Sequence, residues 1–258
     1  MQRVLFHSTI FGPIHSRRLG SSLGINLSPN DGKICSFDCL YCEAGYNAQG
    51  PGTTGLPTRA DVRRLLEEKL QALRAEEKPL DVITFSGNGE PTLHPDFAGI
   101  IDDTLELRDR YFPDVKVSVL CNSTRLGVPE VVAALHKVDN PILKLDSAVE
   151  ETMRLIDRPN SPAFTVETVS RWLEEFGGDC IIQTMMLRGV HDGHPIDNTT
   201  PTEAAALLDV YRRVRPREVM LYSIDRATPE QQLVKVPREQ LDAIAGQWRA
   251  AGITVQVN

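Results

Sequence analysis

Short runs of aliphatic and β-branched residues alternate with longer stretches whose apolar positions recur every three or four residues. The runs at 23–27, 81–86, 115–120, 141–146, 180–187 and 219–224 are close to continuous in apolar character, as strands buried on both faces of a parallel sheet are. One-sided helical stripes fall between them. The first joins Val62, Leu65, Leu66, Leu70 and Leu73, the second Phe97, Ile100, Ile101 and Leu105, and a shorter third Val131, Val132 and Leu135. Three more follow: Val166, Val169, Leu173 and Phe176; Leu207, Leu208, Tyr211 and Val214; Leu241, Ile244, Ala245 and Trp248. The order is strand then helix six times, with a last short strand at 253–257. Right-handed crossovers turn such a repeat into a parallel sheet with helices outside. Six units, where a closed barrel has eight, predict an α/β fold of the partial (β/α)6, TIM-like kind. Its ligands lie at the carboxyl ends of the strands.

Composition adds bounds. The 258 residues are 41% apolar and 24% charged, as in soluble globular proteins, and are expected to form one domain over 1–258. No run of about 18 apolar residues occurs, so no membrane span is expected. The stretch from Met1 to His7 lacks the apolar core of a secretory signal. Five cysteines, three of them in one loop, fit a reducing cytoplasm better than an oxidised secreted scaffold. A net charge of −7 weighs against affinity built on neutralising phosphates. Arg17, Arg18 and Lys33 nevertheless suggest a small cationic rim near the cysteines, for an anionic ligand or for surface ion pairs. Residues 49–57, rich in Gly, Pro and Thr, read as a surface loop.

The chemistry concentrates in Cys35-Ser-Phe-Asp-Cys39-Leu-Tyr41-Cys42. Three thiolates within eight residues hold three corners of a cubane iron–sulfur cluster and leave the fourth iron open to a small molecule. The competing reading is a zinc- or Fe–S-binding redox or regulatory module, zinc closing its tetrahedron with a fourth Cys or His. His7, His15 and His94 are candidates for that place, though none has finger-like spacing, and Cys121 is distant in sequence. After the second strand comes Ser86-Gly87-Asn88-Gly89-Glu90-Pro91, whose two glycines let backbone approach a ligand closely.

The cysteine spacing with Tyr41, followed one βα unit later by this glycine segment, resembles the signature of the radical S-adenosylmethionine (SAM) superfamily. The stretches Gly12-Pro-Ile-His-Ser-Arg-Arg-Leu-Gly20 and Ser22-Leu-Gly-Ile-Asn-Leu27 are similar to a stand-alone subgroup related to wyosine-base tRNA enzymes and glycyl-radical-enzyme activases. So, more loosely, is the segment from Tyr222 to Glu230, in which Arg226 and Glu230 keep their places. The resemblance implies a [4Fe-4S] cluster on Cys35, Cys39 and Cys42. It also implies SAM cleaved to a 5′-deoxyadenosyl radical, hydrogen abstraction from an unidentified substrate, and an external electron donor of flavodoxin or ferredoxin type. The competing redox or regulatory module is one without SAM chemistry. Gly87, Asn88, Gly89 and Glu90 fall where the family binds the amino group of SAM, Tyr41 where it meets adenine, and Asn122 where a polar residue meets ribose or carboxylate.

Several residues keep two readings. Lys144 and Asp146, two apart on a strand, share a face and form either a structural ion pair or a contact to the carboxylate of SAM. Gln183 and Met185 share a face one strand later, Gln183 as ligand contact or core amide. Cys121 is a packed thiol or a hydrogen donor to a radical intermediate, and Cys180 a packed thiol. His191, Asp192 and His194 are either a metal trio or solvated loop residues. The substrate is a tRNA base, a protein glycine, a peptide or a small metabolite.

Overall fold

The computed structural model describes residues 3–16 and 20–258, so Arg17 and Arg18 of the anticipated cationic rim lie outside the described residues. β1 (Ile10–Ser16) and β2 (Gly20–Ile25) pair antiparallel. From β2 onward the sheet is parallel and follows chain order through β3 (Val82–Phe85), β4 (Lys116–Cys121), β5 (Asn140–Lys144) and β6 (Ile181–His191). β8 (Glu218–Ser223) and then β10 (Val255–Val257) complete it. β1 stands at one edge and β10 at the other, so the barrel is open. The six predicted strand–helix units are all present. The antiparallel β1 was not predicted, because its alternation is broken by Gly12 and Pro13 and reads as a loop.

The helices are α1 (Arg59–Ala75), α2 (Phe97–Tyr111), α3 (Pro129–Leu135), α4 (Glu150–Asp157), α5 (Val166–Phe176), α6 (Pro201–Val214) and α7 (Arg238–Ala250). Thr58, Thr165 and Thr200 cap α1, α5 and α6, each accepting a hydrogen bond from the backbone N–H three residues on. α4 escaped the periodicity because its eight residues bury only Met153, Ile156 and Asp157. β6 runs past the predicted 187 and carries two antiparallel strands, β7 (His194–Asp197) and β9 (Leu233–Lys235).

Strand alternation divides the buried residues into two layers. Leu23, Ile25, Ile83, Phe85, Val117, Val119, Leu143, Ile182, Val219 and Leu221 pack with the helices. Each such side chain contributes about 1.5–3 kcal/mol of burial. On the opposite, inner face Ile142, Ile181 and Met220 cluster with Leu120. The same face holds two polar pairs, Ser22 Oγ to Thr84 Oγ1 at 2.8 Å and Asn140 Nδ2 to Ser118 Oγ at 3.0 Å. The inner face is thus the mixed polar and apolar wall of a lumen whose mouth lies at the strand ends.

Candidate active site

The cysteine loop is tied to the glycine segment by backbone pairing. Ile34 N–H donates to Asn88 O at 3.1 Å and Glu90 N–H to Ile34 O at 3.0 Å. This parallel bridge pairs Ile34 with Gly89, where φ is +145° and an added Cβ would fall 1.8 Å from Ile34 O. Only glycine fits there. Gly89's own N–H and C=O enter no backbone bond among the described residues. The Asn26 amide braces the segment from below, its Oδ1 accepting from Asn88 N–H at 3.0 Å and Ser28 N–H at 3.2 Å.

Asn88 is fully buried and its side chain bonds only backbone. Its Nδ2 donates to Phe6 O and Pro29 O, both at 2.9 Å, and its Oδ1 accepts from Phe6 N–H at 2.8 Å. Glu90 is similarly committed. Its Oε1 accepts from Thr92 N–H at 3.1 Å and Thr92 Oγ1 at 2.5 Å, and its Oε2 accepts from Asn122 N–H at 2.7 Å. The Asn88 and Glu90 side chains therefore hold the segment's shape and fasten it to the end of β4.

Asn122 reaches the cysteines directly, with Nδ2 2.9 Å from Ser36 Oγ and 3.6 Å from Cys35 Sγ. On the other side of the loop Tyr41 hydroxyl donates to Asp146 and stands 3.3 Å from Asp157 Oδ1. Lys144 Nζ lies 3.2 Å from Asp146 Oδ2 and 5.1 Å from the centre of the Tyr41 ring. Asp146 Oδ1 also accepts from Met185 N–H at 2.8 Å. Asp157, which sequence reasoning missed, is 3.6 Å from Cys39 Sγ. It closes α4, whose last carbonyls accept from Asp38 and Leu40 N–H groups of the cysteine loop. A lone Asp at the end of a short amphipathic stretch carries no signal that would have found it.

Burial dominates the electrostatics. It pushes the Cys35 thiol up to about 12, with Glu90 adding and Lys33 opposing. Burial and then Asp157 raise Cys39 well above its ordinary value. Burial raises Tyr41 and Asp157, in both cases with Asp146 next, and raises Glu90 against its hydrogen bonds. Lys144 is depressed by burial, but Asp146, Tyr222 and Asp157 outweigh this and raise it. Lys33 is likewise depressed by burial and raised overall by Cys42, Cys35, Cys39 and Asp38. Thiols this buried become thiolates by giving their protons up to metal binding.

All five cysteines are free. Among the described residues no three His, Cys, Asp or Glu side chains gather closely enough to hold a single ion. The proposed fourth zinc ligands are engaged or exposed. His94 Nε2 bonds Pro57 O at 2.8 Å and its Nδ1 accepts from Asp96 N–H at 3.1 Å, His7 Nδ1 lies 3.1 Å from Asn30 O, and His15 faces solvent. The donor set is three thiols on one loop, which suits a cluster with one open corner. The Radical SAM superfamily profile matches residues 30–199. The chain belongs to the radical SAM superfamily. Its cofactors are accordingly a [4Fe-4S] cluster and SAM.

A UPF0026 protein of Synechocystis is 32% identical over 231 residues, covering 86% of this chain and 77% of that protein. The chain spans between 34% and 77% of the length of the curated relatives it matches. Among solved structures, Streptococcus suis SuiB bound to SAM superposes with TM-score 0.65 at 13% identity, over 91% of this chain and 50% of SuiB. TYW1 with a lysine–pyruvate adduct does so with TM-score 0.59 at 13% identity, over 90% of this chain and 75% of TYW1. These two share the radical SAM partial barrel.

The remaining expectations sort by position. Cys121 lies on the helix-facing side of β4 with Val117 and Val119, its Sγ accepting from Ser123 N–H at 3.3 Å. Strand alternation thus points it away from the lumen, where a hydrogen donor to a substrate would stand. Gln183, paired in register with Lys144, is 7% exposed, and no described residue bonds its amide. His191 Nδ1 bonds Glu230 Oε2 at 2.7 Å and its Nε2 lies 3.6 Å from Asp192 Oδ2, while His194 is exposed, and the three form no metal-holding group among the described residues. Cys180 is fully buried. No helix among the described residues is long and apolar enough to cross a membrane.

Proposed function

We propose that the chain is a radical SAM enzyme whose core domain over 1–258 removes a hydrogen atom from a substrate held at the lumen mouth. The reading rests chiefly on the bridge between Ile34 and Gly89, which brings the three-cysteine loop and the glycine segment together at the carboxyl edge of a parallel sheet. Cys35, Cys39 and Cys42 would hold the cluster, which would supply the electron for reductive cleavage of bound SAM.

The chain's own residues bind, orient and exclude water. An ammonium group needs acceptors, and carbonyls in the segment from Gly87 to Gly89 are suited to that of SAM, while Asn88 and Glu90 keep the segment rigid. Tyr41 presents its ring toward adenine, its hydroxyl pinned by Asp146 and Asp157. Asn122 and Lys144 meet the ribose and carboxylate, with Asp146 holding the Lys144 ammonium in place. The unpartnered Gln183 amide, between Lys144 and Met220 in the sheet register, offers a donor and an acceptor to a polar group of the substrate. The lumen wall of Leu120, Ile142, Ile181 and Met220 keeps a carbon radical from water. A cytoplasmic flavodoxin or ferredoxin delivers the electron.

The deciding experiment is anaerobic reconstitution with iron and sulfide, then reduction in the presence of SAM. The wild type is expected to release 5′-deoxyadenosine and a Cys39→Ala variant none. A wild type carrying a full cluster that yields no 5′-deoxyadenosine above an enzyme-free control would refute the proposal.

A further inference from the structure

Lys33 precedes Cys35 by two residues and is only 3% exposed. Its Nζ donates to Gly45 O at 2.8 Å and lies 3.6 Å from Asp38 Oδ1. Gly45 is itself bound back to the loop, its N–H donating to Cys42 O at 2.9 Å. The ammonium is therefore wrapped by the same turn that carries the three cysteines. Its carboxylate partner is shared. Asp38 Oδ1 accepts from Asn47 N–H at 2.6 Å, and Asp38 Oδ2 faces the Arg158 guanidinium at 3.7 Å. Two cations thus divide one anion, leaving a surplus positive charge inside the loop.

A buried ammonium costs several kcal/mol unless negative charge stands close by. A backbone carbonyl and part of a carboxylate are a thin supply. A doubly positive cubane core held by three thiolates carries one net negative charge, and a second after it accepts an electron. We propose that Lys33 is the buried countercharge of this cluster, stabilising its reduced form over its oxidised form and so raising its reduction potential. The inference rests on Cys35, Cys39 and Cys42 being the ligands. It assigns Lys33 a positioning role, with no contact to substrate.

The test is a potentiometric titration of the reconstituted cluster without SAM, followed by electron paramagnetic resonance of the reduced state. Iron content and far-ultraviolet circular dichroism accompany it. Lys33→Met is expected to move the midpoint to more negative potential, and Asp38→Asn, which frees the Lys33 charge, to move it positive. A structural pin has no reason to move the midpoint of a Lys33→Met protein that keeps its full iron. Lys33→Arg is expected to keep both iron and midpoint close to wild type. A Lys33→Met cluster lost while Lys33→Arg retains it also supports the countercharge. A Lys33→Met protein with full iron and an unchanged midpoint overturns it, as does equal loss of iron from both variants in a folded chain. A wild type that takes up no four-iron cluster overturns the ligand assignment as well.

Discussion

Replacing Gly89 with alanine tests whether the joint between the cysteine loop and the glycine segment is built as the structure has it. At φ +145° any side chain is strained, and such conformations cost on the order of 1–3 kcal/mol. The alanine methyl would also fall 1.8 Å from Ile34 O, which is backbone and cannot swing aside. Relief requires parting the bridge, with its bonds of 3.1 Å and 3.0 Å, at about 1 kcal/mol each. Together these come to about 3–5 kcal/mol. With a urea slope of about 3 kcal/mol per molar, the unfolding midpoint of the metal-free protein should fall by about 1–1.7 M. Gly55→Ala is the control, because Gly55 also has positive φ, +71°, but has nothing within 4 Å of an added Cβ. It should lose about 1 kcal/mol. Reconstituted Gly89→Ala should in addition hold less iron, since its cysteine loop has lost a fixed edge. If Gly89→Ala unfolds with Gly55→Ala and loads iron like the wild type, the bridge does not position the loop.

Three further outcomes follow from other parts of the molecule. Asn88→Ala removes three hydrogen bonds to the backbone of Phe6 and Pro29, at about 1 kcal/mol each, so urea unfolding should show a loss of about 3 kcal/mol. Glu203 is buried beside Ser147, 2.6 Å from its hydroxyl, and burial raises its carboxyl above 4.5. A raised carboxyl favours folding below its unfolded pKa and loses that contribution as pH rises through the folded value. Glu203→Gln should therefore gain on the wild type in urea midpoint from pH 4 upward, with the gap levelling once the folded group has ionised; a pH-independent gap would refute this. Native alkylation of the metal-free protein, read by mass spectrometry, should spare Cys39, Cys121 and Cys180, which are 8%, 3% and 0% exposed, and reach the partly exposed Cys35 and Cys42.

The parallel core was legible because strands buried on both faces leave continuous apolar runs, and because each helix shows the sheet one stripe. The cysteines and glycines were legible because their chemistry needs them close in sequence. What escaped depends on partners far along the chain. Asp157 is 118 residues from the Cys39 sulfur it approaches, and Asn26 is 62 from the backbone it braces. Lys33 read as part of a surface rim, since nothing local tells a buried lysine from a solvated one. β7 and β9 were lost because three- and four-residue antiparallel strands on the end of β6 have no periodicity of their own.

The buried polar side chains at the strand ends divide into those already satisfied and those still holding spare capacity, and the division orders the site. Asn26, Asn88 and Glu90 spend their acceptors and donors within the fold, mostly on backbone, so they are scaffold even though Asn88 and Glu90 stand in the signature segment. Gln183 spends none, and its amide atoms are not among the fully buried unpartnered ones, so that capacity stays open to a ligand. Lys144 and Asp146 form a pair of opposite charge beside that open amide, so the mouth of the lumen suits a zwitterionic cofactor next to an uncharged polar group. Gln183→Leu separates the two occupants. It should leave SAM binding near wild type while uncoupling 5′-deoxyadenosine release from turnover of the true substrate, because only the substrate is expected to bond that amide. An equal loss of SAM affinity in Gln183→Leu would instead place the amide among the SAM contacts.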